Sequence, residues 1–244
     1  MMYMKITIIY NKNATHIQTV NDHMMSFQKY SKHEINYIDQ TDFDNINKIH
    51  SDLVVLHYSI MHSVAWGLTK YINIIKAKEE NSSENYKKIL NNKAHWISIE
   101  IKNSLFLHLT NFLLNYNGIK IAFIQDEYYD TNLTKMFLEI INVNTVFTCI
   151  PKEHISKIYS NLNNTGFIHN ITGYVSECDL KIIPIKERKC DVFYRGRELH
   201  YKYGDLGQDK MNIGKFMAKC CSEYNLIFNI DCNGANSIYG DEWF

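Results

Sequence analysis

The sequence predicts an α/β fold built on one parallel β-sheet with helices on both faces, followed by the beginning of a second α/β unit. Up to Cys149, short apolar runs alternate with helical patterns at the spacing of βαβ units, which predicts parallel strands and right-handed crossovers. The run Asp52–Tyr58 has an unbroken apolar centre, which is typical of a central strand covered on both faces. Near the end of the chain, Asp191–Tyr194 starts a further strand, and a helical pattern follows it.

Five strands are predicted in the first part of the chain. Each is a short run of mainly apolar, β-branched or aromatic residues bounded by polar ones. They are Lys5–Tyr10, Glu34–Asp39, Asp52–Tyr58, Ile119–Gln125 and Thr145–Cys149.

Helical periodicity fills the intervals between these strands. In the first helix Ile17, Val20, Met24 and Phe27 share one face, and Thr15 is a plausible N-cap. A polar connection is expected at Glu79–Asn92. The predicted helices are His16–Tyr30, Ser63–Lys78 (weak), Ile101–Tyr116, Asn132–Ile141 and Pro151–Tyr159.

Composition changes after the fifth strand and its helix, which predicts two domains. Residues 1–160 form the first domain, and the Asn-rich then charged stretch 161–189 is read as the crossing between domains. Residues 190–244 start the second domain, with a helix over Asp209–Tyr224 and a strand at Leu226–Asp231. Because only two strands fit before Phe244, the second domain is expected to be cut short.

The overall composition argues against several classes of partner. Lys and Arg number 26, as do Asp and Glu, so no global charge favours nucleic acid or a membrane surface, and an anionic ligand needs a local cluster. Six cysteines without a C-x-x-C pair predict scattered thiols in a reducing compartment. The first apolar run is shorter than a signal peptide's, and none approaches the ~20 residues of a membrane span. We therefore expect a cytoplasmic protein.

Motifs of several enzyme classes are absent from the sequence. The turn after the first strand reads Asn11-Lys12-Asn13-Ala14, without the glycines that a dinucleotide pyrophosphate needs. The chain has no P-loop, G-x-S-x-G or H-E-x-x-H motif, and its eleven histidines show no zinc spacing. No metal or other cofactor is predicted.

Three candidate catalytic residues follow predicted strands. His57 lies where the third strand ends, and Asp126 and Glu127 follow the fourth, at the edge where open α/β sheets bind ligands. A carboxylate there could deprotonate a hydroxyl nucleophile. We expect the three to line one cleft facing the segment after Cys190, with His57 and Asp126 within roughly 12 Å. The alternatives are a hydrogen-bonded loop histidine and carboxylates that cap a helix or fix a loop.

A candidate anion site follows the strand that starts at Asp191. Arg195 and Arg197 flank Gly196, whose lack of a side chain lets the backbone approach a ligand, and together they could clamp a diphosphate. Lys210 would add a third positive charge at the start of the next helix. The alternative is that the arginines form structural ion pairs, with Asp191, Glu198 and Asp205 as partners.

With these segments in view, the chain resembles bacterial glycosyltransferases of the GT-B type. The resemblance spans most of the chain in the same order. Its matching pieces are Leu53–Tyr58, Phe123–Tyr128, Thr172–Val175, Asp191–Arg197, Tyr203–Lys210 and Ile238–Trp243. It implies two Rossmann-like domains, of which the first mostly receives the acceptor and the second holds a sugar nucleotide without a metal.

The implied reaction moves a sugar from a nucleotide-diphosphate donor to a hydroxyl of a surface polysaccharide or glycan. For this reaction the candidate catalytic residues are Asp126, Glu127 and His57, and the candidate donor contacts are Arg195, Gly196, Arg197 and Lys210. Such enzymes continue past the point where this sequence stops, with acidic residues that hold the donor's ribose and sugar. Peripheral contact of the protein with a membrane is compatible with the resemblance. The alternative function is a non-catalytic α/β binding or partner module.

Overall fold

The computed structural model describes residues 3–15, 17–69, 106–128, 130–171, 184–196, 198–199 and 204–232. The chain divides into two units, Met1–Tyr174 and Val175–Phe244. The division falls inside the stretch 161–189 that the sequence assigns to the crossing between domains. Among the described residues, no helix combines the length and apolar character needed to cross a bilayer.

Six parallel strands form the sheet of the first unit, in the order β2-β1-β3-β4-β5-β6. Helices pack on its faces, so the predicted Rossmann-like α/β fold is confirmed. The strands are β1 (Lys5–Tyr10), β2 (Glu34–Asp39), β3 (Leu53–Leu56), β4 (Ile119–Phe123), β5 (Thr145–Thr148) and β6 (Gly166–His169).

Differences from the predicted strands lie at strand ends and at one edge. β3 ends at Leu56 because His57 already caps the turn Tyr58–Ile60 that follows it. β6 lies inside the stretch predicted to be a crossing. It is an edge strand paired only with β5 and mostly exposed, so its residues lack the apolar run that marks a buried strand.

Six helices of the first unit have described residues. They are α1 (Gln18–Tyr30), α2 (Phe43–Ile46), α3 (residues 61–69), α4 (residues 106–115), α5 (Thr131–Ile140) and α6 (Lys152–Ile158). The remaining parts of the predicted helices Ser63–Lys78 and Ile101–Tyr116, and all of Glu79–Asn92, lie outside the described residues.

The structure corrects one helix prediction and adds one helix that was not predicted. The predicted N-cap Thr15 is wrong, because its hydroxyl donates to the Lys12 carbonyl and closes the preceding 3₁₀ turn, and Ile17 takes the N-cap position of α1. The single turn α2 was not predicted. Its signal was Asp42, whose side chain accepts the backbone N–H of Asn45 as an N-cap.

Strand β3 lies at the centre of the core, and all four of its residues are buried. Val54 and Leu56 face one cluster, which includes Leu109 of α4 and Phe137 of α5. Leu53 and Val55 face a second cluster on the other side of the sheet, against which Phe27 of α1 packs. The unbroken apolar run of β3 therefore reflects burial on both faces, as predicted.

The second unit contains one parallel βαβ element among its described residues. Strand β7 (Val192–Arg195) pairs in parallel with β8 (Phe228–Asp231), and α7 (Leu206–Glu223) connects them. Tyr194 fixes α7, because its hydroxyl donates to the Lys210 carbonyl over 2.7 Å. Its ring occupies the space that a Cβ would need at Gly196 and Gly214.

Candidate functional site

The carboxyl ends of the parallel strands bring His57, Asp126 and Glu127 to one edge of the sheet, but not to one pocket. His57 packs on the side of α1, with His23 as its neighbour. Glu127 packs on the other side, against Thr148 and Tyr159. The expectation that all three share a cleft is therefore wrong for His57 and Glu127, whose side chains point to opposite faces of the sheet.

His57 is completely buried, with 0% of its side chain exposed. Its Nδ1 accepts the backbone N–H of Ser59 over 3.2 Å, which makes His57 the N-cap of the turn after β3. Its Nε2 lies 3.0 Å from Nδ1 of His23. Because both ring nitrogens are engaged inside the protein, His57 orients other groups and does not contact a substrate itself.

These contacts assign a tautomer to each ring. Nδ1 of His57 accepts the Ser59 N–H and lies 2.9 Å from the Ser59 hydroxyl, which in this assignment donates to it. Neutral His57 is then assigned its proton on Nε2, which donates to Nδ1 of His23, and neutral His23 is assigned its proton on Nε2. Burial, followed by the nearby His23, lowers the pKa of His57 to about 3, and burial also lowers the pKa of His23. At neutral pH, His23 thus offers a hydrogen-bond donor rather than a base.

His23 was not among the residues singled out by the sequence. Its ring is half-buried among aromatic rings, 5.3 Å from those of Phe27 and Tyr58 and 5.2 Å from that of Phe123. The available signal was its spacing, three residues after Val20 and four before Phe27, on the apolar face of α1. The sequence alone contains nothing that pairs this position with His57.

Asp126 lies close enough to Tyr58, a neighbour of His23, for its charge to act on the Tyr58 hydroxyl. Its exposed carboxylate accepts a hydrogen bond from the Tyr128 hydroxyl over 3.2 Å. Burial, and then the negative charges of Asp126 and Asp22, raise the pKa of Tyr58 to about 12. Tyr58 therefore stays protonated at neutral pH, and its ring lies 4.1 Å from that of His57 and 5.3 Å from that of His23.

Glu127 fixes the loop after β4 to the neighbouring strand. Its carboxylate accepts from the Thr148 hydroxyl and, over 3.4 Å, from the Tyr159 hydroxyl. Burial raises the pKa of Glu127, while these hydrogen bonds act in the opposite direction. Burial and the charge of Glu127 in turn raise the pKa of Tyr159. This geometry corresponds to the loop-fixing alternative rather than to a catalytic carboxylate.

In the loop after β1, the backbone donors of residues 11–14 are bonded within the protein and so are not free to hold a phosphate. In dinucleotide-binding units this loop presents N–H groups to the pyrophosphate. Here Asn11 N–H donates to Ser59 Oγ (3.0 Å), Lys12 N–H to Asp39 Oδ2 (2.6 Å), Asn13 N–H to Asn11 Oδ1 (3.0 Å) and Ala14 N–H to the Asn11 carbonyl (3.0 Å).

In the second unit, two residues of the predicted anion site, Arg195 and Gly196, are engaged by the protein's own groups. The Arg195 guanidinium donates to the backbone and side-chain oxygens of Asn229, over 3.0 and 2.9 Å, and stacks on Phe193. Gly196 makes room for the Tyr194 ring. Lys210 is exposed, and Arg197 lies outside the described residues. The predicted ion-pair alternative is replaced, for Arg195, by hydrogen bonds across the strand pair.

Within the described part of the chain, no group of three or more His, Cys, Asp or Glu side chains is placed to hold a metal ion. The candidate site is thus the polar edge formed by His23, His57, Tyr58 and Asp126, which we call the His–Tyr–Asp edge. Comparisons with protein-family models, with curated proteins and with solved structures find no match to this chain.

Proposed function

We propose that the chain is a cytoplasmic glycosyltransferase of the GT-B type, or the N-terminal part of one. It would move a sugar from a nucleotide-diphosphate donor to a hydroxyl of a surface polysaccharide or glycan. The six-stranded parallel unit followed by a parallel βαβ element agrees with the two Rossmann-like domains that the resemblance implies. A fold of this kind hosts many activities, so the proposal depends on the site.

The observation that carries the proposal is the exposed Asp126 carboxylate, whose charge acts on Tyr58, a neighbour of the His23–His57 pair. Asp126 is exposed and accepts hydrogen bonds, so it is the group suited to take a proton from an acceptor hydroxyl. His23 donates through Nε2 and would hold the acceptor oxygen. His57 fixes the tautomer and orientation of His23 from its buried position. Glu127 has no direct part in this scheme.

The engaged donors of residues 11–14 support an acceptor role for the first unit. Because these N–H groups are bonded to protein groups, we place the donor diphosphate elsewhere. Arg195, Gly196, Arg197 and Lys210 remain the proposed donor contacts. For Arg195 this requires the guanidinium to exchange Asn229 for a phosphate oxygen.

A thermal-shift screen against UDP, GDP and a panel of nucleotide sugars tests the proposal first, because a ligand that binds the folded state raises the melting temperature. Sugar transfer is then followed with the donor that binds. Asp126→Asn should lower the transfer rate by about 10²–10⁴-fold and leave donor affinity unchanged. Glu139→Gln, an exposed acid at the end of α5, is the matched control. Unchanged turnover in Asp126→Asn would remove Asp126 from the mechanism.

One observation favours the second candidate, a non-catalytic α/β binding or partner module. Arg195 is held by Asn229 and stacked on Phe193, so the described residues form no open diphosphate clamp. A protein of this class would bind a glycan or another subunit without binding nucleotides. Absence of any thermal shift with nucleotides, together with a shift on adding glycans, would decide for this candidate.

A further inference from the structure

Strand β6 lies at one edge of the first unit's sheet, and its outer backbone groups are placed to receive another strand. The N–H groups of Gly166 and Asn170 donate to carbonyls at either end of β5, over 2.8 Å each. Because successive residues of a strand turn their backbone groups in opposite directions, Phe167 and His169 direct their N–H and C=O groups away from β5. Among the described residues, β5 is the only strand that pairs with β6.

This edge is anchored on one face and apolar on the other. The rings of Tyr159 and Phe167 stack 5.0 Å apart, which holds β6 against the core. On the other face, the strand register aligns Phe123, Phe147 and Ile168 in one row across β4, β5 and β6. The two phenylalanine rings stack 4.4 Å apart, whereas Ile168 is 45% exposed. The apolar row therefore ends in an exposed side chain at the sheet edge.

The two edge strands of the sheet differ in charge. Proteins commonly protect a free sheet edge with charged side chains or proline, which discourage pairing with another chain. The edge strand β2 carries Glu34 and Asp39 at its two ends. The segment Thr165–Ile171 contains no Asp, Glu, Lys, Arg or Pro. An identical strand laid along β6 would therefore meet no like charge on that strand.

We propose that β6 pairs in antiparallel orientation with β6 of a second copy of this chain, with the two-fold axis at Ile168. In this register Phe167 lies opposite the second copy's His169, and the pair exchanges both of its hydrogen bonds, because all four groups face outward. Ile168 faces its own copy, with the two Cα atoms about 4.5 Å apart, and the apolar row continues into the second sheet. A self-complementary strand of this kind is what a closed two-fold dimer requires. The inference concerns assembly and goes beyond the proposed function.

Sedimentation velocity of the full chain over a concentration series tests the inference. The wild type is expected to shift from monomer to dimer as its concentration rises, since a short strand pair makes a small and therefore weak interface. Ile168→Lys should raise the dissociation constant by about tenfold or more, because it removes an apolar contact and sets two ammonium groups opposite each other. Ile140→Lys, at a 37% exposed position of α5, is the matched control and should dimerise like the wild type.

Two further variants test the backbone pairing and the register. His169→Pro removes an N–H that faces away from β5, so it should weaken the dimer while β5 and β6 stay paired. Ile168→Cys places two thiols across the two-fold axis, at a Cα separation that a disulfide can span, so oxidation should yield a covalent dimer above the wild-type level. His169→Cys is its control, because residue 169 lies opposite Phe167 of the second copy and should cross-link less.

Three outcomes overturn the inference. The first is a wild type that stays monomeric over the whole series, which would leave the β6 edge to a strand of another protein. The second is an Ile168→Lys variant that dimerises as tightly as the wild type. The third is cross-linking of His169→Cys as efficient as that of Ile168→Cys. Circular dichroism melting of each variant establishes that loss of the dimer is not loss of folding.

Discussion

Nδ1 of His23 lies 3.0 Å from Nε2 of His57, so a fully buried imidazole determines which nitrogen of a half-buried one carries the proton. The chain of contacts begins at the backbone N–H of Ser59, which donates to His57. The Ser59 hydroxyl lies 2.9 Å from the same nitrogen, so Ser59 orients the pair through both its backbone and its side chain. This relationship leads to predictions about folding and about the chemistry of the edge.

Replacing His57 by Ala should destabilise the fold by about 2–4 kcal/mol, because it removes an N-cap, a buried hydrogen bond and buried side-chain volume together. Urea denaturation measures the change. His154→Ala, on the exposed side of α6, is the control and should cost less than about 0.5 kcal/mol. A His57 variant as stable as the His154 variant would show that the pair contributes nothing to folding.

Stability should fall as the pH falls below the usual histidine value near 6.5. The pKa of folded His57 is about 3, so between these values the unfolded chain binds a proton that the folded chain does not. The contribution is complete above pH 6.5 and is lost progressively toward pH 3. From pH 6.5 to pH 5 the loss from this group is about 1.5–2 kcal/mol.

Denaturation of the wild type and of His57→Gln at matched pH values isolates the pH-dependent contribution of His57 to the free energy of unfolding. The wild type should lose stability more steeply with acid than the variant, which has no titrating group at this position. Parallel slopes for the two proteins between pH 6.5 and pH 5 would contradict a depressed pKa for His57.

The ionisation of Glu127 should lower the stability as the pH rises, whereas the protonation of His57 lowers it as the pH falls. Its folded pKa is raised by burial, so its contribution to stability is complete below the ordinary carboxyl value and is lost as the pH rises through the folded pKa. Glu127→Gln should remove this loss while it keeps an oxygen that accepts from Thr148 and Tyr159. The test compares unfolding free energies of wild type and variant as the pH is raised from 4. A difference that stays constant with pH would refute the raised pKa.

Arg195→Ala should weaken binding of a nucleotide or sugar nucleotide by about tenfold to a hundredfold, because a charge-assisted hydrogen bond contributes roughly 1.5–3 kcal/mol. Arg195→Lys should restore only part of it, since lysine lacks the planar fork. Calorimetric titration of UDP and GDP measures the change. Asn229→Ala is the matched control, because it removes a side-chain partner of Arg195 and leaves the guanidinium in place.

The two outcomes separate a ligand role from a structural one. If the guanidinium binds phosphate, Asn229→Ala should bind nucleotides at least as tightly as the wild type. If Arg195→Ala and the wild type bind equally well, Arg195 serves only the pairing of β7 with β8.

The strands predicted most accurately from the sequence are the buried ones, because a buried strand consists mainly of apolar residues. The run Leu53–Leu56 is apolar throughout because both faces are covered, and it lies between β1 and β4. β6 was not predicted, because an exposed edge strand does not require an apolar run. Thr15 was assigned as an N-cap because its side chain can accept a hydrogen bond, but in the structure it donates to Lys12 and closes a different turn.

The candidate site was only partly accessible from the sequence. Strand ends placed His57, Asp126 and Glu127 at one edge, which a parallel sheet requires. The face on which each side chain lies depends on how the loops turn after β3 and β4, and no residue pattern encodes that. His23 entered the site through a contact between residues 34 positions apart, which a periodicity argument cannot detect.

At the β1–α1 loop a carboxylate from the end of β2 occupies the place of an external anion. The Asp39 carboxylate is bonded to the Lys12 N–H at the sheet edge where dinucleotide-binding relatives of this architecture hold a phosphate, and it also accepts from the backbone N–H and the hydroxyl of Thr41. An external anion would have to displace a carboxylate that belongs to the same chain and binds without loss of translational freedom. Converting this unit into a nucleotide-binding one would therefore take a redesign of the loop together with residue 39, not the insertion of glycines alone.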